Sequence, residues 1–409
     1  MNRCDVAIIG AGPYGLSAAA HLRRIKGLDI RLLGEPMSFW ERHMPEHMLL
    51  RSPWVASSIA DPDQQLSLDV YKATHGIDPL EYPVPVAEFI RYGRWMLQQM
   101  ALTPGGKVVR LDAASHGYKL SLEGGDALVA RRVVIAGGIQ PFAYRPAMFR
   151  GLPGELVTHT SEQRNFDRFR NRQVIVVGAG QSALEAAGFM RAAGAQVDVL
   201  VRNPAVHWLG KQRQWLHAKH VRWMFYGRGD IGPAGVSLFV QHPNLFRRLP
   251  RRLQDWWGPR AIRPAVFDNL MASTDVAIHP GRFPVNARVE GERIRVHLND
   301  GSDRLVDHVV LGTGYRVDVA RYPFLSPPVV EAVRRVNGYP VLNAGLECSL
   351  PALHFLGAPA ARSFGPLMRF VAGTEFAGRA LQRCVRQAYN RSLASRGPSD
   401  IPEAAYGEA

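Results

Sequence analysis

The feature that most constrains the fold of this chain is a pattern of strand, glycine turn, helix and strand that occurs twice. In the first copy an apolar run, 5–10, leads into G-A-G-P-Y-G at residues 10–15. An alanine-rich helical stretch, 16–25, and a second apolar run, 29–33, follow. Glu35 then stands about 25 residues after the first glycine, as in a dinucleotide-binding βαβ unit.

Each glycine of this turn has its own physical task. Gly10 permits a tight turn, Gly12 lets the backbone approach a pyrophosphate, and Gly15 lets the helix pack closely against the strand. The N-terminus of the helix then faces the phosphates, and Glu35 can accept hydrogen bonds from a ribose diol. The alternative is a tight turn that binds nothing, and the full context of the motif argues against it.

The second copy differs from the first at two positions that matter for the choice of nucleotide, the third glycine and the acid. Its strand, 173–178, leads into G-A-G-Q-S-A, so that Ala183 stands where a third glycine would be. The next strand, 196–201, ends in Arg202 and not in an acid. An arginine there can pair with the 2′-phosphate of NADP, which an acid would repel. The sequence therefore favours NADP over NAD, the alternative being that Arg202 is a solvated surface cation.

The segments around the two fingerprints read mostly as strands. Residues 107–135 contain a Gly124-Gly125 turn and lead into A-G-G at 136–138. Strands are predicted at 285–289 and 293–298, with Asn299-Asp300-Gly301 as the hairpin turn. The fold class predicted is α/β, with two Rossmann-like dinucleotide-binding domains, the second inserted in the first. The predicted boundaries are 1–165 and 308–395 for the first domain, 166–307 for the second, about 205–270 for an insertion within it, and 396–409 for a disordered tail.

Cysteine usage and hydropathy exclude several classes of protein. The three cysteines, Cys4, Cys348 and Cys384, are odd in number, far apart and without a C-x-x-C motif. This argues against a disulfide framework, a metal site and a dithiol redox centre, and a reducing cytoplasm is the simplest location. No apolar run reaches the ~18 residues that a membrane-spanning helix needs.

Together these motifs resemble the class B flavin monooxygenases, over about residues 4–381. F-R-G at 149–151 followed by His159 is similar to the F-x-G…H signature of that class, and L-G-T-G-Y at 311–315 resembles its A-T-G-Y, with Gly312 in place of alanine. G-Q-S-A at 180–183, the segment 39–52 and the trio Phe89, Tyr92 and Trp95 are most similar to the N-hydroxylase branch.

The resemblance implies that the first fingerprint binds FAD and the second binds NADPH. His159 would support NADPH, or else serve as a structural linker. Residues 363–366 precede a predicted helix, 367–380, whose N-terminus would stabilise negative charge at the flavin N1–C2 region. The cofactor-binding residues predicted are Gly10, Gly12, Pro13, Gly15, Glu35, Trp40, Gly137, His159, Gly178, Gly180, Gln181, Ser182, Ala183, Arg202, Gly314, Tyr315, Phe364 and Gly365.

Few acid–base residues are expected, because hydride transfer and oxygen activation belong to the flavin. Arg51 and Ser57 are the candidate catalytic residues, at the flavin edge or beside its C4a-hydroperoxide. The alternatives are a loop arginine and a capping serine.

One segment is strongly basic and rich in tryptophan. Residues 202–263 contain twelve Lys and Arg against two acids, and five of the eight tryptophans: Trp208, Trp215, Trp223, Trp256 and Trp257. Three interpretations compete: a solvated insertion, a peripheral contact with an anionic membrane, or a lid that recruits an anionic substrate. No nucleic-acid reader motif accompanies the charge, so a nucleic-acid role is not predicted.

The sequence therefore predicts an oxidoreductase, a flavoprotein monooxygenase that uses FAD, NADPH and O2 on a small-molecule substrate. N-hydroxylation of an amine is favoured over S-oxidation and Baeyer–Villiger oxidation. The alternatives are an NADPH oxidase or dehydrogenase of the same fold that does not oxygenate, and a flavoprotein redox sensor or electron carrier. The sequence makes no prediction of the oligomeric state.

Overall fold

The computed structural model describes residues 2–50, 52, 54–77, 83–206, 240–260 and 275–394. The candidate catalytic residue Arg51, most of the predicted insertion and the predicted disordered tail lie outside these residues. The α-helices are Pro13–Leu22, Ser38–Arg42, Trp54–Ser57, Leu68–His75, Val86–Gln99, Gln181–Ala192, Pro243–Phe246, Arg251–Arg260, Pro327–Ala332, Ala361–Phe364 and Gly373–Ala394. The strands are β1 (Asn2–Ile9), β2 (Ile30–Leu33), β3 (Val108–Ala114), β4 (Gly117–Leu122), β5 (Ala127–Ile135), β6 (Val157–His159), β7 (Gln173–Val177), β8 (Gln196–Val201), β9 (Ala277–Pro280), β10 (Pro284–Glu290), β11 (Arg293–Leu298), β12 (Asp303–Val306), β13 (His308–Leu311), β14 (Arg335–Val336), β15 (Tyr339–Pro340) and β16 (Leu353–Phe355).

The first sheet contains the first fingerprint and takes strands from both ends of the chain. Its order is β2-β1-β5-β4-β3, and β16 also pairs with β5. The start of β5 pairs antiparallel with β4, and its end pairs parallel with β16, where Val133 lies opposite Leu353. The sheet therefore forks at β5, and its parallel part, β2-β1-β5-β16, is the part that positions the first glycine turn.

The second sheet contains the second fingerprint and has the order β6-β13-β7-β8-β9, with parallel pairs throughout. These strands all fall between β5 and β16 of the first sheet, as expected for an inserted unit. β6 and β13 stand on the first-domain side of the predicted boundaries at 165/166 and 307/308, yet they pair in this sheet. We propose that the second domain extends at least from Val157 to Leu311.

A small antiparallel sheet, β10-β11-β12, differs from prediction in its turns. Its first hairpin turns at Gly291, which has φ +62°. The predicted turn at Asn299–Gly301 joins β11 to β12 instead, and Gly301 there has φ +84°. Each turn needs a residue in the left-handed region, and a glycine provides it in both. The prediction used Gly301 and did not use Gly291.

Helix Gly373–Ala394 packs against helix Pro13–Leu22 of the first fingerprint. The approach is close, because a Cβ on Gly378 would lie 2.4 Å from Nδ1 of the buried His21. The C-terminal helix thus completes the core around the first glycine turn. Within the part of the chain that the structure describes, no helix combines the length and apolar character needed to cross a bilayer.

Candidate functional site

The first glycine turn has the geometry that the fingerprint predicts. Gly10 has φ +106°, and a Cβ there would lie 2.4 Å from the carbonyl oxygen of Ala136. A Cβ on Gly15 would lie 1.8 Å from the carbonyl oxygen of Gly10, so the helix and strand meet backbone to backbone. A Cβ on Gly12 would have no atom within 4 Å. Open space therefore lies over Gly12, at the helix N-terminus, as the predicted approach of a pyrophosphate requires.

The second glycine turn has the same arrangement, except that an alanine stands in its third position and contacts a glycine. Gly178 has φ +140°, and its Cβ would lie 2.3 Å from the carbonyl oxygen of Gly312, while Gly180 again faces open space. A Cβ on Gly312 would lie 2.3 Å from the Cβ of Ala183. The alanine in the third fingerprint position is therefore accommodated because residue 312 is a glycine. The two departures seen in the sequence, Ala183 and Gly312, are therefore in contact.

Other residues predicted to contact a nucleotide lie beside the two turns. Gly34 lies next to Gly10, since a Cβ on Gly34 would be 3.8 Å from the Gly10 Cα, and Glu35 follows it with an exposed side chain that pairs with Arg42. In the second unit Arg202 is exposed just after β8, and Gln181 and Ser182 begin the helix. The Gln181 amide donates to Glu185, 2.6 Å away.

Gly137 and Trp40 are held by packing. A Cβ on Gly137 would lie 3.0 Å from the ring of Tyr322, whose hydroxyl donates to the Gly138 carbonyl at 2.8 Å. Trp40 is half-buried and lies edge-on to Phe89, with ring centroids 4.7 Å apart. The aromatic residues predicted on helix Val86–Gln99 therefore support the segment that follows the first βαβ unit.

His159 lies where the chain passes between the two sheets, and its ring is fully buried. Nε2 is 3.1 Å from the Gly314 carbonyl oxygen, which can only accept, so Nε2 carries the proton and Nδ1 accepts from the Ser161 hydroxyl at 2.8 Å. Burial lowers the pKa of His159, in keeping with this neutral form. Both ring nitrogens are used within the chain, so we propose that His159 acts on a bound nucleotide only through Gly314.

Tyr315 follows Gly314 and packs edge-on to His159, with ring centroids 5.3 Å apart. Burial raises the pKa of Tyr315 to about 12. Ser57, the candidate catalytic serine inside the described residues, is buried on helix Trp54–Ser57 with its hydroxyl 3.4 Å from the Ser52 carbonyl oxygen. The structure leaves its catalytic role a prediction.

Phe364 and Gly365 are brought together with the described part of the basic insertion. Gly365 has φ +91°, and a Cβ there would lie 2.7 Å from the ring of Phe246. The Arg247 guanidinium stands 5.2 Å from the centroid of the buried Phe364 ring. Beside them is a space of about 410 Å³, which we call the insertion cleft, lined by Phe246, Arg251, Gln254, Asp255, Asn337, Tyr339, Ala361, Arg362, Gly365, Pro366 and Arg369.

The helix predicted at 367–380 is wrong in its start. A 3-10 turn, Pro366–Arg369, comes first, Phe370 is extended, and the α-helix begins at Gly373. The hydroxyl of Tyr14 lies 2.9 Å from both the Met368 and the Phe370 carbonyl oxygens, and a Cβ on Gly373 would lie 2.2 Å from it. The single hydrogen of the Tyr14 hydroxyl is therefore available to either carbonyl where the helix is interrupted, and the helix N-terminus proposed for the flavin is not at Pro366.

Tyr14 is the site residue that sequence reasoning missed. It is half-buried, and the loss of water around its hydroxyl strongly raises its pKa, so it remains a neutral donor. Its position inside the G-A-G-P-Y-G turn was the available signal, because a large side chain there must project toward a neighbouring segment. It joins the first glycine turn to the segment that contains Phe364 and Gly365.

Comparisons with known proteins agree with this geometry. The model of a family described as pyridine nucleotide-disulphide oxidoreductase matches residues 4–220. Indole-3-pyruvate monooxygenase YUCCA1 of Oryza sativa subsp. japonica is 28% identical over 347 residues, which cover 76% of this chain and 77% of that protein.

Two solved structures show the same fold. Ornithine hydroxylase PvdA from Pseudomonas aeruginosa aligns with a TM-score of 0.74 at 17% identity, over 95% of this chain and 100% of that chain. DfoA of Erwinia amylovora, the cadaverine monooxygenase of desferrioxamine biosynthesis, was solved bound to FAD. It aligns with a TM-score of 0.73 at 17% identity, over 94% of this chain and 95% of that chain.

Proposed function

The chain belongs to the pyridine nucleotide-disulphide oxidoreductase family, and on that premise we propose that it is an FAD- and NADPH-dependent monooxygenase. It transfers one oxygen atom from O2 to a small nucleophilic substrate, with N-hydroxylation of an amine favoured over oxidation of a sulfide or a ketone. One observation carries the proposal. In each of the two sheets a parallel strand, β1 or β7, leads into a glycine turn whose second glycine faces open space, which supports two separate places for a dinucleotide.

The cysteines support oxygen chemistry over the dithiol chemistry that the family name also includes. All three cysteines are free, and the sequence has no C-x-x-C motif. Burial raises the pKa of Cys4 to about 12 and that of Cys348 to about 11, so neither forms a thiolate readily at neutral pH. The relatives point the same way: YUCCA1 is named a monooxygenase, and PvdA and DfoA are named for oxidising the amines ornithine and cadaverine.

Each of the two turns would bind one of the two dinucleotides. The backbone at Gly12 and Pro13 would hold the FAD pyrophosphate, and Glu35 would exchange part of its pairing with Arg42 for the ribose diol. The backbone from Gly180 to Ser182 would hold the NADPH pyrophosphate, with Arg202 on its 2′-phosphate. When bound, the flavin supplies hydride acceptance and oxygen activation.

The substrate would enter through the insertion cleft. Phe246, Ala361 and Pro366 form its apolar side, and Arg251, Arg362 and Arg369 give it a basic rim. Because Phe246 packs on Gly365, a predicted flavin contact, this part of the insertion would exclude water from the flavin edge. A cytoplasmic location stays a prediction.

The experiment that tests the function is a stoichiometry measurement. Purified holoprotein is supplied with NADPH, isotopically labelled O2 and a panel of amines, sulfides and ketones, and NADPH consumed, hydrogen peroxide released and labelled product are counted together. We expect one labelled oxygen atom in the product per NADPH with the preferred substrate, an amine.

The outcomes separate the alternatives. NADPH consumption matched by peroxide with every compound would identify an oxidase, and no NADPH consumption by FAD-loaded protein would identify a sensor or carrier. Gly12→Val is the control, because its side chain would occupy the open space over the turn. That variant should fold, remain colourless and consume no NADPH.

A further inference from the structure

A second space, of about 680 Å³, lies where the chain crosses twice between the two sheets. We call it the crossover cleft. One wall is the segment that leaves β5 and contains Tyr144, Arg145 and Arg150, and the other is the segment that leaves β13 and contains Arg316 and Arg321. The hairpin turn at Asn337 and Gly338 closes one end. Neither glycine turn lines this cleft.

The two walls are joined along their backbones. The Tyr144 N–H donates to the Gly314 carbonyl at 2.9 Å, and the Arg316 N–H donates to the Phe142 carbonyl at 2.8 Å. Ala143 and Tyr315 form an antiparallel bridge between them. The arginines of the cleft therefore project from a fixed frame, although they come from distant parts of the sequence.

The cleft contains more cations than anions. Four arginines line it, Arg145, Arg150, Arg316 and Arg321, against two acids, Glu162 and Asp318. Both oxygens of Glu162 are bound by Arg145 at 2.8 Å. Asp318 accepts from the Ala320 N–H at 3.1 Å and lies 3.6 Å from Arg335, which does not line the cleft.

Three guanidinium groups therefore remain without a carboxylate partner among the described residues. Arg150 donates to the Arg145 carbonyl at 3.4 Å, and Arg321 donates to the Ala143 carbonyl at 3.2 Å. The Arg316 guanidinium stands 3.4 Å from the centroid of the Tyr144 ring. Carbonyls and a ring face orient these groups without neutralising them, and Arg150 stands on the wall opposite the other two.

We propose that the crossover cleft binds an anionic small molecule through phosphate or carboxylate oxygens. Guanidinium forks suit both groups, and a ligand that pairs with Arg150 and with Arg316 or Arg321 would bridge the two walls. The same chemistry is available from a free polyanion and from the phosphates of the nicotinamide dinucleotide. The site stands on its own geometry and does not depend on the monooxygenase reaction.

Isothermal titration of the FAD-loaded protein with inorganic pyrophosphate, at constant ionic strength, tests the proposal. We expect saturable binding that weakens at least tenfold in Arg316→Gln/Arg321→Gln. Arg288→Gln/Arg304→Gln removes the same charge from the exposed antiparallel sheet and should keep the wild-type affinity. Arg150→Gln, on the other wall, is a second probe should the double variant fail to fold. No saturable binding by the wild type, or equal loss in the two double variants, would overturn the site.

The two sources of the anion are separated by repeating the titration with NADPH present. Pyrophosphate binding that persists at saturating NADPH assigns the cleft to a free anion. Binding that NADPH abolishes, together with weaker NADPH binding in Arg316→Gln/Arg321→Gln, assigns it to the phosphates of the cofactor. Each titration with NADPH is made on protein whose flavin has been reduced beforehand, with oxygen excluded, so NADPH is not consumed and a failure of the proposed oxygenation would leave these results unchanged.

Discussion

At the scale of single residues, Ala183 and Gly312 show how the second dinucleotide turn accommodates an alanine. The Cβ of Ala183 occupies the space where a Cβ on residue 312 would stand, at 2.3 Å. Gly312 has no left-handed backbone, so an alanine would be limited there by contact alone. The two sites should therefore be coupled energetically, which is the usual behaviour of residues in direct contact.

We expect Gly312→Ala to lower the free energy of unfolding by about 1–3 kcal/mol, because it overpacks a buried contact between helix and strand. Ala183→Gly alone should lower the free energy of unfolding by about 1 kcal/mol, because glycine has a lower helix propensity than alanine. The double variant should recover only part of the loss caused by Gly312→Ala, because a Cβ on residue 312 would still lie 2.7 Å from the Cα of residue 183. Urea denaturation of the wild type, the two single variants and the double variant measures the coupling. Strictly additive losses of unfolding free energy would show that the contact does not couple the two residues.

At the scale of elements, the described part of the basic insertion has two different faces. Phe246 packs on Gly365, and Arg251 donates to the Arg362 carbonyl at 3.0 Å and pairs with Asp255 at 2.7 Å. Leu245, Leu253 and Trp256 lie on the other face and are 45%, 41% and 51% exposed. The inner face fits the lid interpretation, and the outer face, which also has Arg248 and Arg252 exposed, fits a membrane contact.

If the outer face contacts an anionic bilayer, each basic residue near the surface adds about 1 kcal/mol, and salt screens this attraction. We expect the protein to sediment with anionic vesicles at low salt, with reduced binding in Arg248→Ser/Arg252→Ser. Arg288→Ser/Arg304→Ser should bind as the wild type does. Equal sedimentation with neutral vesicles, or none at low salt, would leave the solvated insertion and the lid as the interpretations of this segment.

At the scale of the whole molecule, buried histidines in the first and second sheets, His308 and His354 among them, make stability depend on pH. His308 begins β13 in the second sheet, and His354 lies in β16 of the first; burial lowers the pKa of each to about 4, with a neighbouring arginine adding to the effect. His308 accepts from Thr158 at Nε2 and donates to the Glu155 carbonyl at Nδ1, which fixes its neutral form. The unfolded chain, with histidine pKa values near 6.5, binds these protons first.

The free energy of unfolding should therefore be steady above about pH 6.5 and fall as the pH drops from there toward 4. Each histidine should account for roughly 2 kcal/mol between pH 7 and pH 5. His308→Asn should reduce this slope, whereas His116→Asn, at an exposed position, should not. Urea unfolding at a series of pH values measures the slopes, and identical slopes for the wild type and His308→Asn would contradict the assignment.

Local pattern was enough to predict the two βαβ units, because each strand and glycine turn is encoded within about thirty residues. It was not enough for features that depend on distant contacts. The helix start at Gly373 depends on Tyr14, and the crossover cleft joins Arg150 to Arg316 across the inserted domain. Ala183 and Gly312 were each noticed in the sequence, but only their contact in space explains the pair.

The fork at β5 has a consequence for the order of events during synthesis. β6 to β13 of the second sheet all precede β16, so the ribosome releases the complete set of strands for the inserted domain while the host sheet still lacks one. The helix that covers the host core, Gly373–Ala394, emerges later still. The first domain therefore completes its sheet across a long loop, after the inserted domain has been able to fold. Until then part of the β5 edge is unpaired, and at this edge a nascent chain is open to chaperones or to misassembly.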